Sequence, residues 1–427
     1  MARQAAATAP VPMLVSWNVT RACNLACAHC YLDASRRSRN AHDELDTAAA
    51  CRVVEQVAAL APGAMLVLSG GEPLLRRDLA TLVQEAAARG LAPVIGTNGT
   101  LLNERLAGRL RQAGATGVGI SLDSAGAAFH DRLRGVPGAW RAALRGARAA
   151  RGAGMVLLVQ ATLFEENRGE LAALADLAES LGAAALNFFF LVCTGRGATQ
   201  TDLTPAAYEE TLARIARLQR ERPRLIIRAR CAPYLRRLLG LRAGERAGGY
   251  AEWSSACLAG RGYFRITPRG EVTPCPYIPH VVGNLTTEAL RDIWERHPLL
   301  VRLRTELPAG KCGDCDFRYS CGGCRARALA RHGELFAEDP NCLYVRPPEA
   351  QPEPPPAQSP RREVHWEPGA RALLERIPAF VRALAKARLE ERAAREGRDC
   401  VTLEFMRAHR PPIGVSASID GQRTWRG

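Results

Sequence analysis

The segment MLVSWNVTRACNLACAHC, Met13–Cys30, decides the fold. Its first seven residues, Met13–Val19, have the apolar content and length of a buried strand. Directly beyond them Cys23, Cys27 and Cys30 place three thiols within eight residues. Three thiolates at that spacing can wrap one cubic iron–sulfur cluster and leave its fourth iron without a protein ligand. A bare iron is where a small molecule can chelate and react. Zinc is the competing reading, but structural zinc takes four ligands, usually from two separated pairs. His29, wedged between two cysteines, is too tightly placed to face the same metal.

Outward from that segment the pattern repeats. Strands are predicted over Met13–Val19, Met65–Gly70, Pro93–Gly99, Gly117–Asp123, Met155–Leu163 and Ala185–Val192. Between them lie Ala- and Leu-rich helical stretches, Thr47–Leu60, Asp78–Arg89, Asn103–Ala113, Trp140–Arg151 and Gly169–Leu181. A sixth helix begins at Pro205 with Thr204 as its cap. Six strand–helix units in series imply an α/β fold with a parallel sheet curled into a partial (β/α)6 barrel. Residues 1–235 form that unit. A cysteine-rich module with little helix follows over 236–346, then a Pro-rich linker over 347–363, with seven prolines from Pro347 to Pro360. A small helical domain, 364–427, closes the chain, with helices predicted over Glu367–Arg376, Pro378–Glu396 and Thr402–Arg410.

The 427 residues are 47% hydrophobic and 24% charged, which excludes a disordered or collagen-like chain. No run of about 18 apolar residues occurs and no signal-peptide pattern opens the chain, so a cytoplasmic protein without a membrane partner is expected. The net charge of +15 comes almost entirely from Arg, since Lys311 and Lys386 are the only lysines. The arginines spread along the whole chain without an aromatic stripe, so no nucleic-acid partner is expected. A small anion carrying several carboxylates remains a fitting arginine partner. Fourteen cysteines are many for a reducing compartment unless they bind metal or react.

Polar and glycine residues gather where the strands end, the usual place for ligand contacts in parallel sheets. Ser69-Gly70-Gly71-Glu72-Pro73 closes the second strand; two glycines allow close backbone approach, and Glu72 can fix the turn or an ammonium group. Thr97-Asn98-Gly99-Thr100 and Ser121-Leu122-Asp123 end the third and fourth strands, and Gln160 and Thr162 lie on the fifth.

With these motifs the sequence resembles the radical S-adenosylmethionine (AdoMet) superfamily, whose CxxxCxxC signature is similar to Cys23, Cys27 and Cys30. The resemblance implies that these cysteines hold a 4Fe-4S cluster whose open iron takes the amino and carboxylate groups of AdoMet. Reductive cleavage of AdoMet then gives a 5′-deoxyadenosyl radical that abstracts hydrogen from substrate. It also implies that Gly70, Gly71, Glu72 and Asn98 contribute to the AdoMet site, with Ser121 and Asp123 near the ribose and Gln160 near adenine. A flavodoxin- or ferredoxin-type protein would supply the electron.

A second cysteine group comprises Cys257, Cys275, Cys312, Cys315, Cys321, Cys324 and Cys342. Its spacing resembles the SPASM extension, which carries auxiliary iron–sulfur clusters, although two residues rather than three separate Cys321 from Cys324. The resemblance leaves Cys312, Cys315, Cys321 and Cys342 for one cluster and Cys257, Cys275 and Cys324 for another. The fourth ligand of the latter stays open: Cys231 is a candidate, or substrate takes the place. Zinc ribbons are the alternative.

Tyr263–Pro268, Thr273–Tyr277 and Cys321–Ala328, with Ala337–Pro340, are similar to the heme-biosynthesis branch of the superfamily. The tail, through His365–Pro368, Ile377–Arg382 and Val401–Glu404, resembles the C-terminal domain of light-independent protochlorophyllide reductase subunits. Both imply a tetrapyrrole substrate whose propionates are oxidatively decarboxylated or whose acetate groups are lost. Arg196, Arg261 and Arg265 are candidate carboxylate clamps. The rival readings are a SPASM-type peptide maturase, disfavoured by the 22 residues before Cys23, a metalloenzyme maturase, and a non-catalytic electron carrier.

Overall fold

The computed structural model describes residues 9–34, 43–200, 202–239, 256–355, 364–375, 377 and 379–409. Six strands, β1 (Leu14–Asn18), β2 (Met65–Ser69), β3 (Ala92–Thr97), β4 (Gly117–Ser121), β5 (Val156–Leu163) and β6 (Ala185–Phe190), stand in that order as parallel neighbours. Helices Thr47–Leu60, Leu79–Ala88, Glu104–Gln112, Ala139–Gly152, Leu171–Ser180 and Pro205–Glu221 return the chain between strands. Local chemistry sets their ends. The Asp46 side chain accepts the Ala49 N–H at the start of the first, and Thr204 accepts the Ala207 N–H ahead of Pro205 at the last.

The sheet is longer than six strands. β7 (Ile226–Arg230) pairs parallel with β6, and β8 (Tyr263–Ile266) pairs parallel with β1 at the other edge. β9 (Glu271–Thr273) and β10 (Gly283–Asn284) extend that edge antiparallel, so the cysteine-rich segment shares the barrel's sheet. The sequence hides β7 because its Ile-Ile-Arg-Ala-Arg run carries two charges where a buried strand is expected apolar. Helix Ala127–Arg134 is likewise unannounced. The cysteine-rich segment holds more helix than composition implies: Leu290–Arg296, Pro298–Thr305, Gly310–Gly313 and Arg325–His332. The first two bury Leu290, Ile293, Trp294, Leu300 and Leu303 at helical spacing, a pattern short enough to be masked by the surrounding Gly, Pro and Cys.

Side-chain alternation divides the sheet into two faces. Val15, Trp17, Leu66, Leu68, Ile95, Val118, Ile120, Leu157, Val159, Leu186, Phe188 and Ile227 pack under the helices as the main core. Their alternates face the concave side. At the amino ends these are Met65, Val67, Val94, Val156, Leu158, Ala185 and Ile226, and they are covered by the carboxy-terminal unit.

That unit contains helices Pro368–Glu375, Ala379–Arg395 and Leu403–Ala408 together with a strand pair absent from the sequence reading, β11 (His365–Trp366) and β12 (Cys400–Val401). The expected helix boundaries at Arg376, Pro378 and Arg410, and linker residues 356–363, lie outside the described residues. Leu373, Leu374, Leu389, Phe405 and Met406 close the barrel floor, each buried apolar side chain contributing about 1.5–3 kcal/mol. Nor is the Pro-rich segment wholly extended and free. Glu353 is buried, and its carboxylate accepts the Tyr319 and Ser320 N–H groups at 2.7 and 2.8 Å, docking the segment on the cysteine-rich module. No helix among the described residues is long and apolar enough to cross a membrane.

Candidate functional site

The loop bearing Cys23, Cys27 and Cys30 leaves the carboxyl end of β1 and is held from three sides. The Gly71 and Glu72 N–H groups donate to the Thr20 and Ala22 carbonyls, both at 2.8 Å. A Cβ on Gly71 would stand 2.3 Å from the Ala22 carbonyl oxygen, so this position tolerates glycine alone. The close approach expected of Gly70 and Gly71 is therefore made, in the first instance, to the cysteine loop. Asn98 donates to Asn24 of the loop at 2.8 Å. From helix Ala127–Arg134, the Arg134 and Leu133 carbonyls accept the Ala26 and Ala28 N–H groups at 3.2 and 2.9 Å.

Glu72 is fully buried beneath this junction. Its carboxylate accepts the Thr97 hydroxyl at 2.6 Å, the Asn98 N–H at 2.9 Å and the Leu74 N–H at 3.1 Å, fixing the turn. Burial raises its pKa to about 7 against those hydrogen bonds. Asp123 is also fully buried. Its carboxylate takes the Arg134 guanidinium at 2.6 Å and the Thr162 N–H at 2.9 Å. Burial works to raise this carboxyl, but Arg134 and the nearby histidines outweigh it and hold it below the usual range. The oxygens of Asp123, a residue expected near the ribose, anchor Arg134, whose Nη1 stands 3.7 Å from the Cys27 sulfur. Arg134 was invisible to sequence reasoning, since neither its helix nor an inward arginine is marked in the local pattern.

Ser121 and Gln160 are half-buried, paired across β4 and β5, and face the concave side. Gly119 leaves the space that the Gln160 amide occupies, 2.6 Å from where a Cβ would be. His29 is half-buried with its ring edge-on to Phe164, and desolvation together with Arg134 lowers its pKa to about 4.

The concave face becomes cationic toward the carboxyl ends. By alternation Arg228 and Arg230 of β7 and Arg265 of β8 share this face with Ser16, Asn18, Asn187 and Tyr263. Arg265 donates to Asn18 at 2.5 Å, and Arg230 to Asn187 at 3.4 Å. Of the three expected clamps only Arg265 lies here. Arg196 donates to the Cys27 and Ala34 carbonyls and pairs with Asp33, bracing the cysteine loop. Arg261 lines a cavity beside Cys257 and Cys321. Arg228 and Arg230 were missed, although their two-residue spacing beside an Ile pair is a strand signal.

In the cysteine-rich module, Cys312, Cys315, Cys321 and Cys342 line one cavity with Tyr234, Phe317 and Tyr344. Successive left-handed glycines, Gly322 and Gly323, make the tight Cys321–Cys324 turn; a Cβ on Gly323 would be 2.8 Å from the Asp339 Cβ. The backbone is shaped around sulfur. The Leu25, Tyr277 and Phe317 N–H groups donate to the sulfurs of Cys23, Cys275 and Cys315, each two residues earlier, at 3.4, 3.5 and 3.3 Å, and Cys312 receives the Asp339 N–H at 3.3 Å. Such donors stabilise thiolates in a cluster. Burial raises these thiols, Cys23 to about 11 and Cys315 to about 12. Among the described residues no three His, Cys, Asp or Glu side chains converge on a single metal ion.

Comparison with known proteins agrees with this arrangement. Residues 17–178 match the model of the radical SAM superfamily, residues 257–316 that of the SPASM iron–sulfur cluster-binding domain, and residues 366–410 that of the protochlorophyllide reductase 57 kD subunit. The AdoMet-dependent heme synthase of Methanosarcina barkeri is 37% identical over 78% of this chain and 97% of its own. The chain belongs to the radical SAM superfamily.

It is a radical SAM enzyme with a SPASM region, and its cofactors are AdoMet and 4Fe-4S clusters, auxiliary ones included. A Nitratidesulfovibrio vulgaris protein of the same name is 34% identical over 78% of this chain and 93% of its own. The PqqA peptide cyclase of Methylobacterium nodulans is 31% identical over 78% and 87%. Among solved structures, Streptococcus suis SuiB bound to S-adenosylmethionine shares the radical SAM fold at TM-score 0.64 and 18% identity, covering 78% of this chain and 77% of that one.

Proposed function

We propose that this radical SAM enzyme oxidatively decarboxylates propionate side chains of an iron tetrapyrrole in heme biosynthesis. The observation that carries the reading is the concave face, where Arg228, Arg230 and Arg265 stand above an apolar floor. An amphipathic macrocycle with carboxylates on its edge fits both parts. Each propionate would become a vinyl group with release of carbon dioxide, one hydrogen atom and one electron.

Cys23, Cys27 and Cys30 would hold the AdoMet-binding cluster, and Cys257, Cys275, Cys324, Cys312, Cys315, Cys321 and Cys342 the auxiliary ones. When bound, cluster and AdoMet supply a radical able to remove an unactivated hydrogen atom. The chain's own residues do the rest. Gly70, Gly71, Glu72 and Asn98 fix the loop that presents the thiols, and Ser121 and Gln160 offer polar atoms to AdoMet. The arginines hold carboxylates by charge-assisted hydrogen bonds. The floor keeps water from the amino end of the barrel, and a flavodoxin or ferredoxin delivers the electron. On this reading the working units are residues 1–235, 236–346 and 364–427, joined by 347–363.

The test is mass spectrometry of anaerobic reactions with iron-coproporphyrin and didecarboxysiroheme. Loss of two carbon dioxide units from the former is expected. Cleavage of AdoMet to 5′-deoxyadenosine with neither tetrapyrrole changed overturns the reading.

A further inference from the structure

Eleven of the fourteen cysteines gather at three places, and Cys231 is the one whose role the sequence leaves open. It follows β7 directly, at one edge of the parallel sheet. Cys257 and Cys275 flank β8 and β9 at the opposite edge, and Cys324 caps helix Arg325–His332. The fold brings these distant positions together. The Cys231 thiol lies within electrostatic reach of Cys324 and Cys257, and Cys275 within reach of Cys231, Cys257 and Cys324. No other thiol figures among the charges around Cys51 or Cys193.

One hydrogen-bonded unit fixes this meeting. Arg327 donates to the Cys231 carbonyl at 3.0 Å and to the Asp339 carboxylate at 3.3 Å, and that same Asp339 oxygen accepts the Cys324 N–H at 2.7 Å. Two cysteines 93 positions apart are thus bound to a single Arg–Asp pair. Cys231 also adopts φ +59°, a left-handed conformation that costs a residue with a Cβ about 1–3 kcal/mol. Glycine would make the turn without that cost. A turn alone therefore does not account for a cysteine here, whereas a sulfur within electrostatic reach of three others does.

We propose that Cys231 is the fourth thiolate ligand of an auxiliary iron–sulfur cluster held by Cys257, Cys275 and Cys324. The site is then closed by protein and does not bind substrate. Arg327 and Arg230 beside it offset the negative charge of four thiolates. A closed cluster at the carboxyl end of β7, next to Arg230, suits the task of taking the electron released from substrate. This rests on the reading that the SPASM cysteines hold clusters, and the experiment separates the two.

The full chain carrying Cys23→Ala, Cys27→Ala and Cys30→Ala retains only auxiliary sites. Reconstituted without oxygen, it should bind roughly eight iron per chain and show two reduced-cluster EPR signals. Cys231→Ser and Cys324→Ser, added singly, should shift the same signal and lower iron, while Cys342→Ser shifts the other. Cys231→Gly relieves the backbone, and added 2-mercaptoethanol should restore its signal. A Cys231→Ser spectrum equal to its parent's, while Cys324→Ser alters one signal, overturns the proposal alone. A parent with one signal and roughly four iron, insensitive to Cys324→Ser, overturns the cluster reading of this site and the proposal with it.

Discussion

The rings of Tyr31 and Tyr277 meet edge to face, their centroids 5.4 Å apart at 63°. Tyr31 follows Cys30, and Tyr277 donates its N–H to the Cys275 sulfur, so the pair spans the distance between the first cysteine group and the second. Asn18 donates to the Tyr31 hydroxyl at 3.0 Å, and Arg265 lies over the ring. Burial holds both hydroxyls protonated. An edge-to-face pair contributes about 0.5–1.5 kcal/mol. Tyr277→Leu should lower kcat/KM for substrate by up to about tenfold while substrate-free formation of 5′-deoxyadenosine stays unchanged, which chromatography of both products would show.

The Asp123–Arg134 pair predicts coupled loss of stability and iron. Removing one partner of a buried pair strands the other charge at a cost of about 3–5 kcal/mol. Arg134→Gln should lower the melting temperature and deplete iron at the first cluster, because the loop at Cys27 loses its support. Iron assay and calorimetry on the same preparation check this; a destabilised protein with full iron would contradict it.

Glu72 gives a pH dependence of definite sign. Its folded pKa of about 7 exceeds that of an exposed glutamate, so the folded chain holds an extra proton between roughly pH 4.5 and 7. The contribution to stability is full below that window, is lost as pH rises through it, and is flat above. Relative to Glu72→Gln, the natural protein should lose on the order of 3 kcal/mol across the window. Urea titrations of both chains from pH 4.5 to 8 measure the difference directly.

The barrel floor can be opened by one substitution. Phe405 is buried in the apolar cluster that joins the carboxy-terminal unit to the sheet's amino ends, and Phe405→Ala should cost about 3–5 kcal/mol. Binding of a hydrophobic dye should rise as Val94, Leu158 and Ile226 are uncovered. If dye binding is unchanged while stability falls, the unit seals itself rather than the barrel.

Arg228→Gln or Arg230→Gln should raise KM for a carboxylated tetrapyrrole by about ten- to a hundredfold, as loss of a charge-assisted hydrogen bond costs about 1.5–3 kcal/mol. AdoMet cleavage without substrate should be unaffected. Steady-state kinetics on the propionate substrate and its methyl ester check this, the ester losing little.

Much of the site was legible because its chemistry is local. Cys23, Cys27 and Cys30 lie on one loop, and Gly70, Gly71, Glu72, Asn98 and Ser121 each follow or end a strand recognisable by composition. What escaped was inward-facing charge. Arg134 ends a helix that the sequence does not announce and becomes buried by its pairing with Asp123. Arg228 and Arg230, unremarked in the sequence, turn into the concave face because Ile227 takes the core side of β7.

By itself the sequence determined the six-unit parallel sheet, the order of the strand-end motifs and the chemistry of the cysteines, since strand periodicity, capping residues and thiol spacing act within a few neighbours. Only the tertiary structure decided that Asp123 anchors Arg134, that the carboxy-terminal unit floors the barrel, and that Cys231 comes within reach of cysteines from the far edge. Those outcomes depend on which face each strand turns inward and on contacts between residues tens to hundreds of positions apart, and short-range pattern carries neither.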